Sequence, residues 1–211
     1  MRKIVNVAFV TLDGIMQAPG GPGEDDSNGF NSGGWSVHYW DELMGQDMGE
    51  TFARGPDLLL GRKTYDLFAA YWPNATNDPG AANLNDAKKY VVSRTLTRVD
   101  WVNSTLVQGD VVAEITRLKA MDGPELQVHG SINLLQTLLK HNLVDELHLW
   151  IFPVVIGRGK RLFGESIDPT GFKLLDTKVA TTGVIIAIMQ PRIFQRWILP
   201  YLIDLVCQHI G

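Results

Sequence analysis

The feature that most constrains this chain is the alternation of two kinds of apolar pattern. Short, almost uncharged runs of strand length at 3–12 (KIVNVAFVTL), 57–61 (DLLLG), 89–93 (KYVVS) and 125–130 (ELQVHG) read as buried strands. The segments between them carry helical spacing. Val37, Trp40, Met44, Met48 and Phe52 recur at steps of three and four, and a helix start follows DLLLG around Arg62 to Thr64. Asp110 is a good N-cap for a helix to about Met121, with Gly123 as its stop, and Ser131 is placed to cap a helix from Ile132 to His141. From Asp145 onward strands follow one another, at 145–155, 172–178 and 183–189. Buried strands alternating with helices make a parallel sheet covered on both faces, and consecutive strands pair antiparallel. The pattern therefore predicts an α/β domain with a mixed, mostly parallel central sheet flanked by helices and antiparallel strands closing its C-terminal end. A chain of 211 residues buries roughly 70% of its unfolded surface, so one core suffices without a disulfide or metal.

Three stretches stand outside that pattern. Gln17 to Trp35 is polar and glycine-rich, a loop of the length that serves as a lid or stays disordered. Trp72 to Asp86, with Pro73, Pro79 and Gly80, reads as loop. In the tail, Ile193/Phe194, Trp197/Ile198, Tyr201/Leu202 and Leu205/Val206 fall in pairs every fourth residue, a broad helical stripe that Pro200 kinks. The expected organisation is a domain over 1–190 and an apolar helical extension over 191–211. That extension packs on its own domain or on a second subunit, and a homodimer is the expectation.

Charge and cysteine content exclude several classes. The net charge of −4, with no basic block, argues against a general nucleic-acid binder. Cys207 is the single cysteine, so there is no internal disulfide, as in a reducing cytoplasm. Arg2 and Lys3 before Ile4–Val10 imitate a signal peptide, but Asp13-Gly14 ends the run with no cleavage site behind it. No uncharged window is long enough for a membrane span, since Arg196 and Asp204 interrupt the tail. A cytoplasmic protein with no membrane partner is expected.

Unusual residues sit at three strand ends. Gly61-Arg62-Lys63-Thr64 follows DLLL, Ser93-Arg94 follows KYVV, and Gly130-Ser131 precedes a helix at Ile132. Each offers an anion a close-turning backbone, a cation, a hydroxyl or the N–H groups of a helix start. Parallel sheets bind ligands at the carboxyl ends of their strands, so all three would share one edge and could hold a dinucleotide. The familiar glycine fingerprint G-x-G-x-x-G is missing, as are the P-loop, H-E-x-x-H and G-x-S-x-G motifs. His129 and His148 lie within strands and read as structural rather than metal-ligating; no metal site is expected.

Taken in order, these segments resemble the dihydrofolate reductase-like superfamily, and most closely the reductase (RibD C-terminal) domain of riboflavin biosynthesis with its stand-alone relatives. The resemblance rests on Thr11-Leu12-Asp13-Gly14, Gly61-Arg62-Lys63-Thr64-Tyr65, Val92-Ser93-Arg94, Val128-His129-Gly130-Ser131 and the run LVDELHLWIFPVVIGRGKRLF at 143–163. It implies a three-layer fold that binds NADPH along the carboxyl edge. By position, Arg62, Lys63 and Thr64, with Gly61 turning into them, would hold the adenosine phosphates. Ser93 and Arg94 would flank the adenine and 2′-phosphate, and Gly130, Ser131 and Ile132 would contact the pyrophosphate. Asp13, Ile15 and Met16 would lie near the nicotinamide. These residues show no zinc signature of the deaminase half that accompanies many riboflavin reductases, so a stand-alone reductase domain is the expectation, and the tail from Arg192 lies outside the family pattern.

Hydride transfer to a C=N or C=O group also needs a proton. Two carboxyl groups are candidates. Asp13 lies in the turn after the first strand, and Asp41 opens the first helix, where complementing the helix dipole is its other reading. Trp40 and Phe52 could stack a planar substrate or simply fill the core. The resulting expectation is an NADPH-dependent reductase of a small pterin- or pyrimidine-like substrate. Its alternatives are a dihydrofolate reductase and a non-catalytic nucleotide- or flavin-binding module.

Overall fold

The computed structural model describes residues 1–192 apart from 76, 79, 165 and 166. The apolar stripe of the tail, 193–211, lies outside the described residues.

The elements run β1 (Ile4–Thr11), α1 (Glu42–Ala53), β2 (Asp57–Gly61), α2 (Arg62–Tyr71), α3 (Ala81–Asp86), β3 (Lys89–Val92), β4 (Ser104–Val107), α4 (Val111–Ala120), β5 (Leu126–His129), α5 (Ile132–Lys140), β6 (Glu146–Phe152), β7 (Gly171–Val179) and β8 (Ile185–Arg192). They build one eight-stranded sheet in the order β4-β3-β2-β5-β1-β6-β8-β7. Every pairing from β4 to β6 is parallel, while β6–β8 and β8–β7 are antiparallel. The predicted fold class is the observed one.

Burial follows strand alternation. One face of β1 sends Ile4, Ala8 and Val10 into a core shared with Ile115 and Leu118 of α4 and with Leu134, Leu135 and Leu138 of α5. The opposite face is covered by α1 and α2. There Leu58, Leu60 and Val91 meet Phe52 and Tyr65, and Trp150, Phe152 and Ile186 meet Met44. β1 sits between β5 and β6, and its run is apolar on both faces because both are covered.

Three local readings differ from the structure. Val37–Tyr39 forms a separate 3-10 turn, and α1 begins only at Glu42 because Asp41 caps it, its carboxylate accepting from the Met44 N–H at 3.0 Å. Val37 and Trp40 are therefore 54% and 48% exposed, outside the buried stripe. Within the expected loop at 72–86, α3 forms because Ala81 and Leu84 find a place in the core. β4 escapes a sequence reading because it is an edge strand whose only buried residue is Val107.

One buried charge belongs to the fold rather than to any site. Lys89 is fully buried at the start of β3. Its ammonium donates to the carbonyls of Asn85 (2.6 Å) and Val102 (3.1 Å) and lies 4.1 Å from the Trp101 ring centre. Burial lowers its pKa to about 8.

Candidate active site

Neighbouring parallel strands end at the same edge, so β3, β2, β5 and β1 bring their carboxyl ends side by side. Ser93-Arg94, Gly61 to Thr64, Gly130 to Ile132, and the Thr11–Gly14 turn are thereby collected along one edge. Asp41 belongs to the same edge farther along, where its carboxylate binds the β7–β8 hairpin through Thr181.

The centre of this edge is a hydroxyl hub. The Gly61 N–H donates to Ser131 Oγ at 2.9 Å, and both the Ser131 N–H and its hydroxyl donate to Thr64 Oγ1 at 3.0 Å. Gly130 and Ser131 both take left-handed backbone, with φ of 53° and 46°. Gly130 does so without strain, while Ser131 carries a Cβ into a region costing about 1–2 kcal/mol. The Ser131 hydroxyl, turned toward Thr64, does not cap α5, contrary to the sequence expectation. It ties the start of α5 to that of α2 instead.

That leaves two uncapped helix starts at the edge. α2 begins at Gly61 and α5 at Ser131, neither with a side-chain cap nor with an acidic residue in its first turn. By contrast α1 has Asp41 and Glu42 and α4 has Asp110 and Glu114, while the short α3, outside this group of strand ends, is uncapped as well. A helix start without a cap leaves N–H groups and a partial positive charge available to an anion. Arg62 reaches from α2 to Thr95 Oγ1 at 2.7 Å, joining the helix to the turn after β3. In that turn Ser93 Oγ accepts from the Thr95 and Leu96 N–H groups, and Arg94 is exposed.

The glycine-rich loop is a folded strap with a small core of its own. Phe30, Ala18 and Ile15 are buried together, Trp35 Nε1 donates to the Gln17 carbonyl at 2.8 Å, and Gln17 Nε2 donates to the carbonyls of Asp25 and Ser27. The loop docks on the turn after β6. There Gly159, at φ 137°, lies so close that a Cβ would stand 2.8 Å from Ile15 Cγ2 and 3.0 Å from the Phe30 ring. Asp25 accepts hydrogen bonds from Lys63 (2.9 Å) and from Lys160. Burial pushes the Asp25 carboxyl up, but the bonds from Lys160, Ser27 and Lys63 outweigh it and hold it far below the carboxylate range. The sequence offered no sign of this beyond the charges themselves.

The two candidate acids are both engaged. Asp13 accepts from the Thr11 hydroxyl (2.5 Å) and from the N–H groups of Gly157 (2.6 Å) and Ile156 (3.3 Å). The Thr11 bond, aided by those backbone donors, lowers its pKa. Asp41 caps α1 and accepts from the Thr181 N–H and hydroxyl, each at 2.8 Å. Its pKa is lowered, first by the Met44 N–H and then by Thr181. Ile15 and Met16, expected near the nicotinamide, have side chains buried in the packing. Phe52 is buried against His129, with ring centres 5.6 Å apart. Trp40 differs: it stacks on Trp150 at 5.7 Å and 23° and remains half exposed.

His129 and His148 are both buried, across β1 from each other. His129 Nε2 meets Gln127 Oε1 at 3.0 Å; burial, and secondarily the nearby His148, push its pKa down to about 4. His148 meets Glu146 at 3.2 Å, and burial lowers its pKa as well.

A cavity of about 1050 Å³ opens at the other end of the sheet, between the end of α5, the segment leading into β6 and the β7–β8 pair. It stands at the amino end of β6, away from the carboxyl edge where parallel sheets place their ligands. Arg192, the last described residue, lines it.

Comparison with known proteins settles the family. The family model described as RibD C-terminal domain matches residues 2–186. The chain belongs to that family. The chain is also similar to two uncharacterized proteins of Bacillus subtilis (strain 168). YyaP is 32% identical over 191 residues, covering 87% of this chain and 92% of YyaP. YwjB is 26% identical over 180 residues, covering 84% and 91%. Among solved structures, the chain resembles a putative riboflavin biosynthesis protein from Shewanella sp. PV-4, with TM-score 0.63 and 22% identity over 90% of this chain and 99% of that one. It also resembles a pyrimidine reductase-like protein from Corynebacterium diphtheriae, with TM-score 0.61 and 14% identity over 92% and 93%. At those identities the structures speak for the fold, and the family match carries the relationship. Among the described residues, no helix is long and apolar enough to cross a membrane.

Proposed function

We propose that this RibD C-terminal domain protein is an NADPH-dependent reductase that transfers a hydride to a small pterin- or pyrimidine-like heterocycle. The observation that carries the reading is the pair of uncapped, acid-free helix starts, α2 and α5, joined through Ser131 and Thr64 beside Arg62, Lys63 and Arg94. Their N–H groups suit a pyrophosphate, and the exposed cations suit a 2′-phosphate, favouring NADPH over NADH. When bound, the nicotinamide supplies the hydride.

The protein's own task is to orient the two reactants and keep water from the hydride. Thr11 and Asp13 hold the turn after β1 rigid, and the 17–35 strap, docked on the turn after β6 and tied to α2 through Asp25, shields the edge. Asp13 and Asp41 are each engaged as acceptors by several neighbouring donors, which disfavours either as the acid, and on this reading the proton is drawn from solvent. Trp40, backed by Trp150, offers a half-exposed aromatic face to a planar substrate. On the same reading the chain works as a cytoplasmic homodimer, with 1–190 as the reductase domain.

The test is a titration with NADPH and, separately, NADH, followed by quenching of the tryptophans. Micromolar NADPH affinity, with NADH weaker by roughly tenfold or more, is the expected result. Affinity for neither overturns the reading; NADPH affinity without turnover of any pterin or pyrimidine substrate would favour a non-catalytic nucleotide-binding module.

A further inference from the structure

Lys63 and Lys160 come from opposite sides of the candidate site, the first turn of α2 and the β6–β7 connection. One carboxylate holds both. Asp25 Oδ1 accepts from Lys63 Nζ at 2.9 Å, and Asp25 Oδ2 accepts from Lys160 Nζ. Ser27 completes the cluster: its hydroxyl donates to Asp25 Oδ1 at 2.5 Å and accepts from Lys160 Nζ at 2.7 Å. The Asp25 side chain is 15% exposed and that of Lys160 24%, while that of Lys63 is 64% exposed and able to follow a ligand.

Two ammonium groups brought to one carboxylate repel each other once that carboxylate leaves, unless another anion takes its place. A phosphate group suits that place chemically: it carries up to two negative charges and more acceptor oxygens than a carboxylate, for two ammonium donors and a hydroxyl. The uncapped starts of α2 and α5 lie beside it and add donors for the same charge.

We propose that Lys63, Lys160 and the Ser27 hydroxyl form a phosphate clamp across the carboxyl edge, and that Asp25 is its resident counter-ion, displaced when a ligand phosphate binds. The inference rests on the reading of this edge as the ligand site. It adds that the 17–35 strap is latched by an internal anion that competes with the ligand. The phosphate is either the cofactor's or that of a phosphorylated substrate.

The wild-type chain, Asp25→Asn and Lys160→Gln are titrated with NADPH, NADH and ribose 5-phosphate, and hydrogen exchange of residues 17–35 is followed with and without each. The clamp predicts that, for the same ligand, Asp25→Asn binds about tenfold tighter and Lys160→Gln about tenfold weaker. It also predicts that this ligand speeds exchange around Asp25 in the wild type. Equal effects on NADPH and NADH assign the clamp to the pyrophosphate, an effect on NADPH alone to the 2′-phosphate, and an effect on ribose 5-phosphate alone to the substrate. The clamp is overturned if Lys160→Gln binds all three ligands as the wild type does. It is equally overturned if Asp25→Asn binds none more tightly while its strap keeps wild-type exchange protection. Wild-type NADPH affinity with either of those results defeats the clamp and leaves the reductase reading standing. The clamp pattern with ribose 5-phosphate, and no affinity for NADPH or NADH, does the reverse.

Discussion

Acidification should destabilise this protein through His129, and the size of the effect follows from where that residue sits. His129 ends β5, 7% exposed, with its ring beside Phe52 and Phe68 and its Nε2 against Gln127. Burial and the neighbouring His148 bring its pKa from 6.5 to about 4 in the folded chain. Between those values the unfolded chain binds the proton and the folded chain does not, so stability rises with pH across the window and falls on acidification. The full difference amounts to about 3 kcal/mol. Between pH 7.5 and pH 5 the share lost is about 2 kcal/mol. Carboxylates titrate in the same region, and for that reason the comparison is with His129→Gln, which keeps a polar partner for Gln127 and removes the titration. Urea unfolding of both proteins at pH 7.5 and pH 5 gives four stabilities. The wild type should lose about 2 kcal/mol more than the variant on acidification. Losses equal to within about 0.5 kcal/mol would show that His129 is solvated or paired in a way that contradicts its burial.

Ser131 provides a sharper test of the site's backbone. Ser131→Ala and Ser131→Gly both remove the hydroxyl that joins Gly61 to Thr64, yet glycine relieves the left-handed strain, so the glycine variant should be more stable by about 1 kcal/mol in urea unfolding; equal stabilities would mean no strain is stored there. Asp13→Asn and Asp41→Asn should each retain steady-state hydride transfer within a few-fold, since both carboxylates are held ionised by neighbouring donors; a loss of about 10²-fold or more in either would make that residue the acid after all. Lys89 predicts alkaline stabilisation. Its folded pKa of about 8 lies below its ordinary 10.5, so the unfolded chain holds the extra proton between those values and stability rises with pH. Unfolding midpoints at pH 7.5 and pH 10 should separate for the wild type and converge for Lys89→Met.

The centre of the sheet was legible because strands such as β1 and β2 are buried on both faces and so read as continuous apolar runs: Ile4 to Thr11 and Leu58 to Leu60 could be little else. Where burial is slight, legibility was uneven: the largely exposed β7 was still read at 172–178, while β4 was not. β4 has one inward residue and only strand β3 beside it, too little to impose a period on Ser104–Val107. Val37 and Trp40 fitted a helical stripe by spacing alone, but Asp41 caps the helix behind them and turns the chain. The candidate site was legible in its strand-end motifs, since parallel pairing forces Gly61, Ser93 and Gly130 onto one edge. The duties of its hydroxyls and acids were not. Ser131 could as well have capped α5 as bridged to Thr64, and the choice depends on a long-range approach of α2 that local sequence does not encode. The same holds for Asp25 and Lys160, distant in sequence and joined only once the strap folds over the edge.

The distribution of negative charge supports the proposed place of that strap in the ligand site. A missing N-cap costs a helix about 1 kcal/mol, and this chain accepts that loss at α2 and α5, as at the short α3, while placing Asp41 and Asp110 at α1 and α4. Had an acid been built into the first turn of α2 or α5, it would have stabilised the helix and repelled a phosphate permanently. Asp25 supplies negative charge beside Lys63 from a loop instead, where a carboxylate can move away without undoing a helical hydrogen bond. On the clamp proposal, folding stability in the free protein and access for an anionic ligand are thus separated in space, with the helix starts left open and the counter-ion carried on the 17–35 strap.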